Sequence, residues 1–399
     1  MRIAGIIAEY DPFHNGHAAH IANTRAENGG KATHIVAVIS GSFTQRGEPA
    51  LLSKFKRAEI ALACGADLVL ELPLPWAMAP AENFATGGVA ILKALGCVDM
   101  LSFGSECGDT DVLKQLANVS THPDYQKELK RALDHGLPYA AAGQTAAAQI
   151  LGEDVATHLA SPNNTLGIEY LRAMKTQCAD WDTFTVQRQG TQHGEMVAKD
   201  AFASASLLRE MARSGNTDLF HAYMPERAAD TLENAISNGE ATTHVTRLQT
   251  ALLAHLRRLS PEEYANLPWL SEGLENRLYR EGRIAADYDT LLSAVKTRRY
   301  PMARLRRVLW ASLLGLTAAD TNGLPPYIRV LGMNERGKEI LSAASPTLPV
   351  LTRTAQISEL DQRAQHIFAL ECIATDLHAL AMAKPLPCGT DYTTKMITK

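Results

Sequence analysis

Short apolar runs alternate with longer amphipathic ones through the first half of the chain. Residues 3–8 (IAGIIA) and 33–39 (THIVAVI) are apolar and β-branched, and each reads as a buried strand. Residues 67–71 and 98–103 read the same way, the first ended by Pro73 and Pro75. Between them lie helical patterns, from about 16 to 28, over 53–64 and over 81–95. A fifth strand is expected over 183–187, after a helix that follows Asn163 and Asn164. Strand–helix alternation predicts a Rossmann-like α/β domain, a parallel sheet with helices on both faces.

Past the break at Ser214-Gly215-Asn216 the pattern becomes almost entirely helical, with spans at 243–259, 261–264, 272–280, 285–296 and 302–314. Ser260-Pro261-Glu262-Glu263 is a helix start, with a Ser cap, Pro at the first position and acids in the first turn. Two domains are expected: 1–215, α/β, and 216–399, mainly α-helical.

Composition narrows the class. The chain has 399 residues, 46% hydrophobic and 21% charged, with a formal net charge of −4. Such a chain can bury two cores, and any nucleic-acid surface on it must be a local patch. No apolar run reaches the ~18–20 residues of a membrane span. Glu9 and Asp11 interrupt the apolar start, against a signal peptide. The six cysteines are scattered without a C-x-x-C or a Cys/His cluster, so reduced thiols in a cytoplasmic protein are expected and a structural zinc is not.

Candidate chemistry centres on Tyr10-Asp11-Pro12-Phe13-His14-Asn15-Gly16-His17, between the first strand and the first helix. Ligands of a parallel sheet bind off the carboxyl ends of its strands. A helix start there offers free N–H groups and a positive dipole end, suited to a triphosphate. Gly16 lets backbone approach a ligand. His14 and His17, three apart, can aim two imidazoles into one small volume and stabilise charge developing at phosphorus. An H-x-x-H pair also suits a metal, but no third ligand is spaced to join it, and no metal site is assigned. The same D-P-x-H-x-G-H run resembles the signature of the HIGH-type nucleotidyltransferase superfamily. Ala203-Ser204-Ala205-Ser206-Leu207-Leu208-Arg209 resembles that superfamily's second signature, whose hydroxyls and arginine, here Ser206 and Arg209, are phosphate donors. It also reads as a Ser-capped surface helix.

Longer stretches narrow the resemblance. Residues 6–17, the run 40–50 (SGSFTQRGEPA) with Lys54, Arg57 and Gly65-Ala66-Asp67, Phe103-Gly104-Ser105-Glu106, residues 161–167 (SPNNTLG) and Lys296-Thr297-Arg298-Arg299-Tyr300 together resemble the bacterial tRNA(Met) cytidine acetate ligase family. The resemblance implies an enzyme that activates acetate with ATP as acetyl-adenylate and acetylates N4 of the wobble cytidine of elongator tRNA(Met). Carried over by motif, the ATP loop is Ile7, Ala8, Glu9, Tyr10, Asp11, Pro12, Phe13, His14, Asn15, Gly16, His17, Ala18, Ala19 and His20. Gly104, one of Asn163 or Asn164, and Arg188 complete the nucleotide pocket. Mg²⁺ is expected to accompany ATP, with no sequence feature to specify its ligands.

Arg46, Lys54 and Arg57 follow the second strand and are candidates to hold the acetate carboxylate or pyrophosphate. Lys296, Arg298, Arg299, Arg304, Arg306 and Arg307 fall within twelve residues free of Asp and Glu. With Leu305, Val308, Leu309 and Leu313 forming an apolar stripe, the last three arginines are expected mostly outward, as phosphate contacts for tRNA. Tyr300 is placed to stack on an unpaired base. A solvated helix face is the plainer reading. Two rival functions remain open: an adenylyltransferase acting on a small phosphorylated metabolite, and a non-catalytic tRNA-binding protein.

Overall fold

A computed structural model describes residues 1–26, 30–188, 201–271, 273–297 and 300–399. Among these, eight strands form one sheet in the order β5-β4-β1-β2-β3-β6-β7, with β8 pairing β6. The first five are β1 (Ile3–Ala8), β2 (His34–Ser40), β3 (Leu68–Leu72), β4 (Met100–Ser105) and β5 (Asp182–Gln187), and they run parallel. Each lies within two residues of its expected span. β1 to β3 are buried on both faces, which is why they read as continuous apolar runs rather than alternating ones.

The chain moves from β1 to β2 and β3 on one side, then returns to place β4 and β5 on the other. β1 is therefore the point where the strand order reverses, and a crevice opens beyond the carboxyl ends of β1 and β4. Helix α1 (Asn15–Thr24) leaves β1, α2 (Lys54–Ala63) precedes β3 with Ser53 as its N-cap, α3 (Ala81–Leu95) covers the sheet, and α4 (Pro162–Thr176) precedes β5. α5 (Ala205–Ser214) carries the second signature and is capped by Ser204, whose side chain accepts from the Leu207 N–H.

The second half is largely helical, as expected, with helices at Gln249–Arg258, Leu274–Ile284 and Tyr288–Val295, α6 (Met302–Leu313) and the long α7 (Gln362–Ala381). It also supplies three strands that the helical pattern gave no sign of. β6 (Ile328–Met333) pairs antiparallel with β3, and β7 (Val350–Leu351) and β8 (Ile397–Thr398) run parallel to β6. The sheet thus continues past residue 215. A buried charge cluster pins this second half to the first. Lys54 Nζ lies 2.6 Å from Glu71 and 2.7 Å from Asp391, and Arg329 of β6 bridges the same two carboxylates. No helix of the described residues is long and apolar enough to cross a membrane. All six cysteines are free.

Candidate active site

A cavity of about 520 Å³ opens at the switch point, lined from the elements that meet there. From β1 and the following turn come Ile7, Ala8, Glu9, Tyr10, Asp11 and His14, and from α1 come Gly16, His17, Ala19 and His20. Gly104 at the end of β4, Asn163 at the start of α4 and Arg188 just after β5 face it too, as do Arg46 and Arg209. Of the expected ATP loop, Pro12, Phe13, Asn15 and Ala18 stand behind this wall. Phe13 packs into the core beneath Tyr10, with ring centroids 4.8 Å apart. Asn15 Nδ2 donates to the carbonyls of Ala201 and Ala222 at 2.9 and 3.2 Å, tying the start of α1 to the segments around α5.

The two signature imidazoles are stacked, with centroids 3.7 Å apart and planes inclined by 18°. The His14 N–H donates to His17 Nδ1 at 3.2 Å. That bond leaves Nδ1 as the acceptor, so the neutral ring carries its proton on Nε2 and can donate from there. Burial holds the His14 pKa down to about 3, assisted by Arg188 and Arg209. Burial, then His14, holds His17 well below the ordinary value. Both are uncharged at neutral pH. His14 Nδ1 is buried and finds no partner among the described residues. The missing side chain of Gly16 also makes room for the His14 ring, because a Cβ there would sit 2.9 Å from His14 Cε1.

His20 belongs to a polar chain. Thr24 donates to the His20 carbonyl at 2.8 Å, so Ser102 must donate to Thr24 at 2.7 Å and accept from His20 Nε2 at 2.9 Å. Burial, then Arg188, lowers the His20 pKa to about 4. Glu9 has its pKa raised by burial and receives the Gln45 N–H at 2.5 Å. Asp11 accepts from the Leu51 N–H at 2.6 Å, while Arg209 donates to the Asp11 carbonyl at 2.5 Å. Arg46 donates to Ser206 Oγ at 2.8 Å and Arg209 to the same oxygen at 3.3 Å. Ser206 thus aligns two guanidinium groups, while Ser204 lines the cavity itself.

The two asparagines occupy different places. Asn163 lines the cavity, with Nδ2 on Glu106 at 2.7 Å and Oδ1 receiving Arg188 at 3.4 Å. Asn164 is fully buried, and its Oδ1 accepts from the Glu106 and Cys107 N–H groups at 2.9 and 3.2 Å. It shapes the loop after β4 and does not reach the cavity wall.

Four expectations are corrected. Lys54 is wholly buried in the charge cluster with Glu71 and Asp391, away from the cavity. Burial alone would lower its pKa, but Asp391 and Glu71 outweigh that and hold it raised. Arg57 is also buried. It donates to the carbonyls of Leu52, Glu9 and Gly41 and to Ser40, so it braces the back of the nucleotide loop. The arginines of α6 do not point mostly outward. Arg304 donates to the Trp269 carbonyl at 2.8 Å, Arg306 lies 3.2 Å from Glu48, and Arg307 reaches the Gln45 carbonyl and lines the cavity. Tyr300 is 7% exposed, so its ring is packed away. Lys296 is exposed, and Arg298 and Arg299 lie outside the described residues.

Sequence reasoning missed Pro80, Ala81, Phe84 and Tyr170, whose apolar faces close the cavity, and Ala303 from α6, and it placed Arg307 on a tRNA-facing surface rather than at the cavity. The helix starts at Ala81 and Met302 were legible, but not which of their residues would face a ligand.

The mostly parallel sheet, the H-x-G-H turn at its switch point and the arginine-lined cavity define a HIGH-type nucleotidyltransferase. The family model described as HIGH Nucleotidyl Transferase matches residues 1–390. The tRNA(Met) cytidine acetate ligase of Acetivibrio thermocellus is 35% identical over the whole of both chains. Its namesake in Syntrophotalea carbinolica is 39% identical over 90% of this chain and 86% of its own. Two crystal structures of Thermotoga maritima TmcAL, one apo and one bound with alpha-thio ATP, match with TM-scores of 0.94 and 0.91. Each is 30% identical to this chain and covers 100% of it and 99% of its own length. The chain belongs to the tRNA(Met) cytidine acetate ligase family.

Proposed function

We propose that this chain binds ATP in the switch-point cavity, activates acetate as acetyl-adenylate, and acetylates N4 of the wobble cytidine of elongator tRNA(Met). In the first step an acetate oxygen attacks the α-phosphorus, and pyrophosphate departs with the electron pair of the broken P–O bond. In the second the N4 amine attacks the acetyl carbon, AMP leaves, and the amine gives up a proton. One observation carries the reading most directly: two stacked, neutral imidazoles enter the cavity beside Arg188 and Arg209. A neutral ring donating from Nε2 stabilises charge as it develops at phosphorus without first holding an anion of its own. Arg46 and Arg209 supply cations for the triphosphate, and Gly104 offers bare backbone at the β4 end. Asn163 is the asparagine assigned to the nucleotide.

Mg²⁺ is expected with ATP. Among the described residues no group of three or more His, Cys, Asp and Glu side chains could hold a metal. The ion would therefore ride chiefly on the phosphates, and none of the residue roles above depends on it. We assign tRNA binding to the helical half, 216–399, with Lys296, Arg298 and Arg299 as the phosphate contacts that remain once the α6 arginines turn inward. A cytoplasmic location fits that substrate.

The test is to incubate the protein with ATP, labelled acetate and tRNA(Met), and separately to follow acetate-dependent exchange of pyrophosphate into ATP. Labelled tRNA and acetate-dependent exchange are expected. Absence of both removes the reading, and exchange that needs no acetate favours adenylyl transfer to a metabolite.

A further inference from the structure

Four arginines line the cavity, and one differs from the rest. Arg209 lies 3.5 Å from Asp11, Arg46 faces Glu9, Asp11 and Glu48, and Arg188 faces Glu106. Arg307 has no ion pair among the described residues. Its one hydrogen bond runs from Nη1 to the Gln45 carbonyl at 3.0 Å, and its Nε is buried without a partner. The charged group it feels is Arg304, of the same sign. Burial, then Arg304, pushes its pKa down to about 10, so it stays charged at neutral pH. A cation withdrawn from water without a counter-charge is costly, and an arriving anion relieves that cost.

The placement of Arg307 is built in. Gly47 holds φ +76°, and a Cβ there would run into the Arg307 backbone nitrogen. Trp310, one turn further along α6, packs on Phe43 with centroids 6.3 Å apart. The loop after β2 therefore seats α6 so that Ala303 and Arg307, four apart, present the same face to the cavity.

We propose that Arg307 binds the carboxylate of acetate, with Ala303 beside the methyl group. This rests on the acetate-activating reading above. Arg46 and Arg209 converge on Ser206, and Arg188 and Arg209 flank the imidazoles, so those three surround the place where phosphate charge is met. Arg307 reaches the cavity from α6, held on the Gln45 carbonyl rather than on Ser206 or the imidazoles. A single guanidinium fork matches one planar carboxylate in two parallel hydrogen bonds, and a small apolar neighbour suits a two-carbon acid.

The experiment measures acetate-dependent pyrophosphate exchange without tRNA, with melting temperatures recorded for every variant. Arg307→Gln should raise the acetate KM by about ten- to a hundred-fold, the worth of a charged hydrogen bond, and leave the ATP KM unchanged. Arg307→Lys, which keeps charge but loses the fork, should fall between the two. Ala303→Leu should also raise the acetate KM without altering that of ATP, so the proposal stays testable should Arg307→Gln not fold. An unchanged acetate KM overturns it. So does a rise confined to the ATP KM, which would assign Arg307 to a nucleotide phosphate. Loss of the wild-type exchange would instead remove the acetate-activating reading itself.

Discussion

The backbone N–H of His14 donates to Nδ1 of His17 at 3.2 Å, and the rings stack 3.7 Å apart. One hydrogen bond therefore sets both the tautomer of His17 and the parallel approach of the two rings. The neutral ring is thereby left to donate from Nε2–H. His17→Ala should cut acetate-dependent pyrophosphate exchange by ~10²–10³-fold, the usual loss on removing one transition-state donor. Gly16 should be nearly as sensitive, because any side chain there meets the His14 ring. Exchange rates with matched circular dichroism spectra check both, and full activity in His17→Ala would exclude the role.

Lys54 looked like a substrate cation and is a structural one. It holds Glu71 and Asp391, and with Arg329 it ties β6 and the segment near Asp391 to β3. Asp391 is held down at about 2, because Lys54 and Arg329 outweigh the effect of its burial. Burial, then Glu71, raises Glu371 well above the ordinary carboxylate value. Lys54→Met removes one of the two cations on these buried carboxylates and leaves Arg329 alone to neutralise both, which should cost about 3–5 kcal/mol of stability. Denaturant midpoints should show the loss, while the ATP KM of the remaining folded enzyme stays unchanged.

Stability should also carry a histidine signature in acid. His378 on α7 is 1% exposed and donates from Nε2 to the Ala50 carbonyl at 2.7 Å. Burial lowers its pKa from 6.5 to about 4, with Arg57, Asp11 and Lys54 the charges that face it. The unfolded chain then binds a proton between pH 6.5 and 4 that the native state refuses, so its contribution is whole above 6.5 and falls as pH drops. His378→Gln keeps a donor for Ala50 without titrating. Between pH 6.5 and 4 it should lose about 3 kcal/mol less stability than the parent, taking 1.36 kcal/mol per pKa unit. Glu9 and Glu371, whose pKa values are raised, act in the opposite sense but equally in both proteins. Chemical denaturation at several pH values gives the difference, and identical slopes would reject this assignment.

How much of this was legible in the sequence depended on whether a signal was local. β1 to β5 announced themselves as apolar runs because parallel strands are buried on both faces. The HNGH turn and the Ser-rich start of α5 were local too. β6 was not. Its IRVLGM run is short and sits among helices, and it is a strand only because β3, some 260 residues earlier in the chain, offers it a free edge. The same limit applies to the cations. Lys54, Arg57 and Arg307 are alike in sequence, but one neutralises buried carboxylates, one braces backbone carbonyls and one enters the cavity. Periodicity showed which α6 residues form the apolar stripe. It did not show that Glu48 and Gln45, far away in the chain, would draw Arg306 and Arg307 inward.

Neighbouring asparagines offer the sharpest separation of binding from folding. Asn163 lines the cavity and contacts Arg188, whereas Asn164 is buried and accepts two backbone N–H groups from the loop after β4. Asn163→Ala removes an amide from the cavity wall and frees Arg188, so the ATP KM should rise while the melting temperature stays near the parent's. Asn164→Ala leaves the half-buried Glu106 and Cys107 N–H groups without their acceptor, at up to about 1–3 kcal/mol for such unsatisfied groups. It should lower the melting temperature clearly, and weaken ATP binding only as far as the loop bearing Gly104 and Glu106 loosens. The two variants measured side by side should therefore split, one in KM and one in thermal stability. If Asn164→Ala alone raises the ATP KM at full stability, the nucleotide contact belongs to Asn164 and the cavity wall has been assigned to the wrong residue.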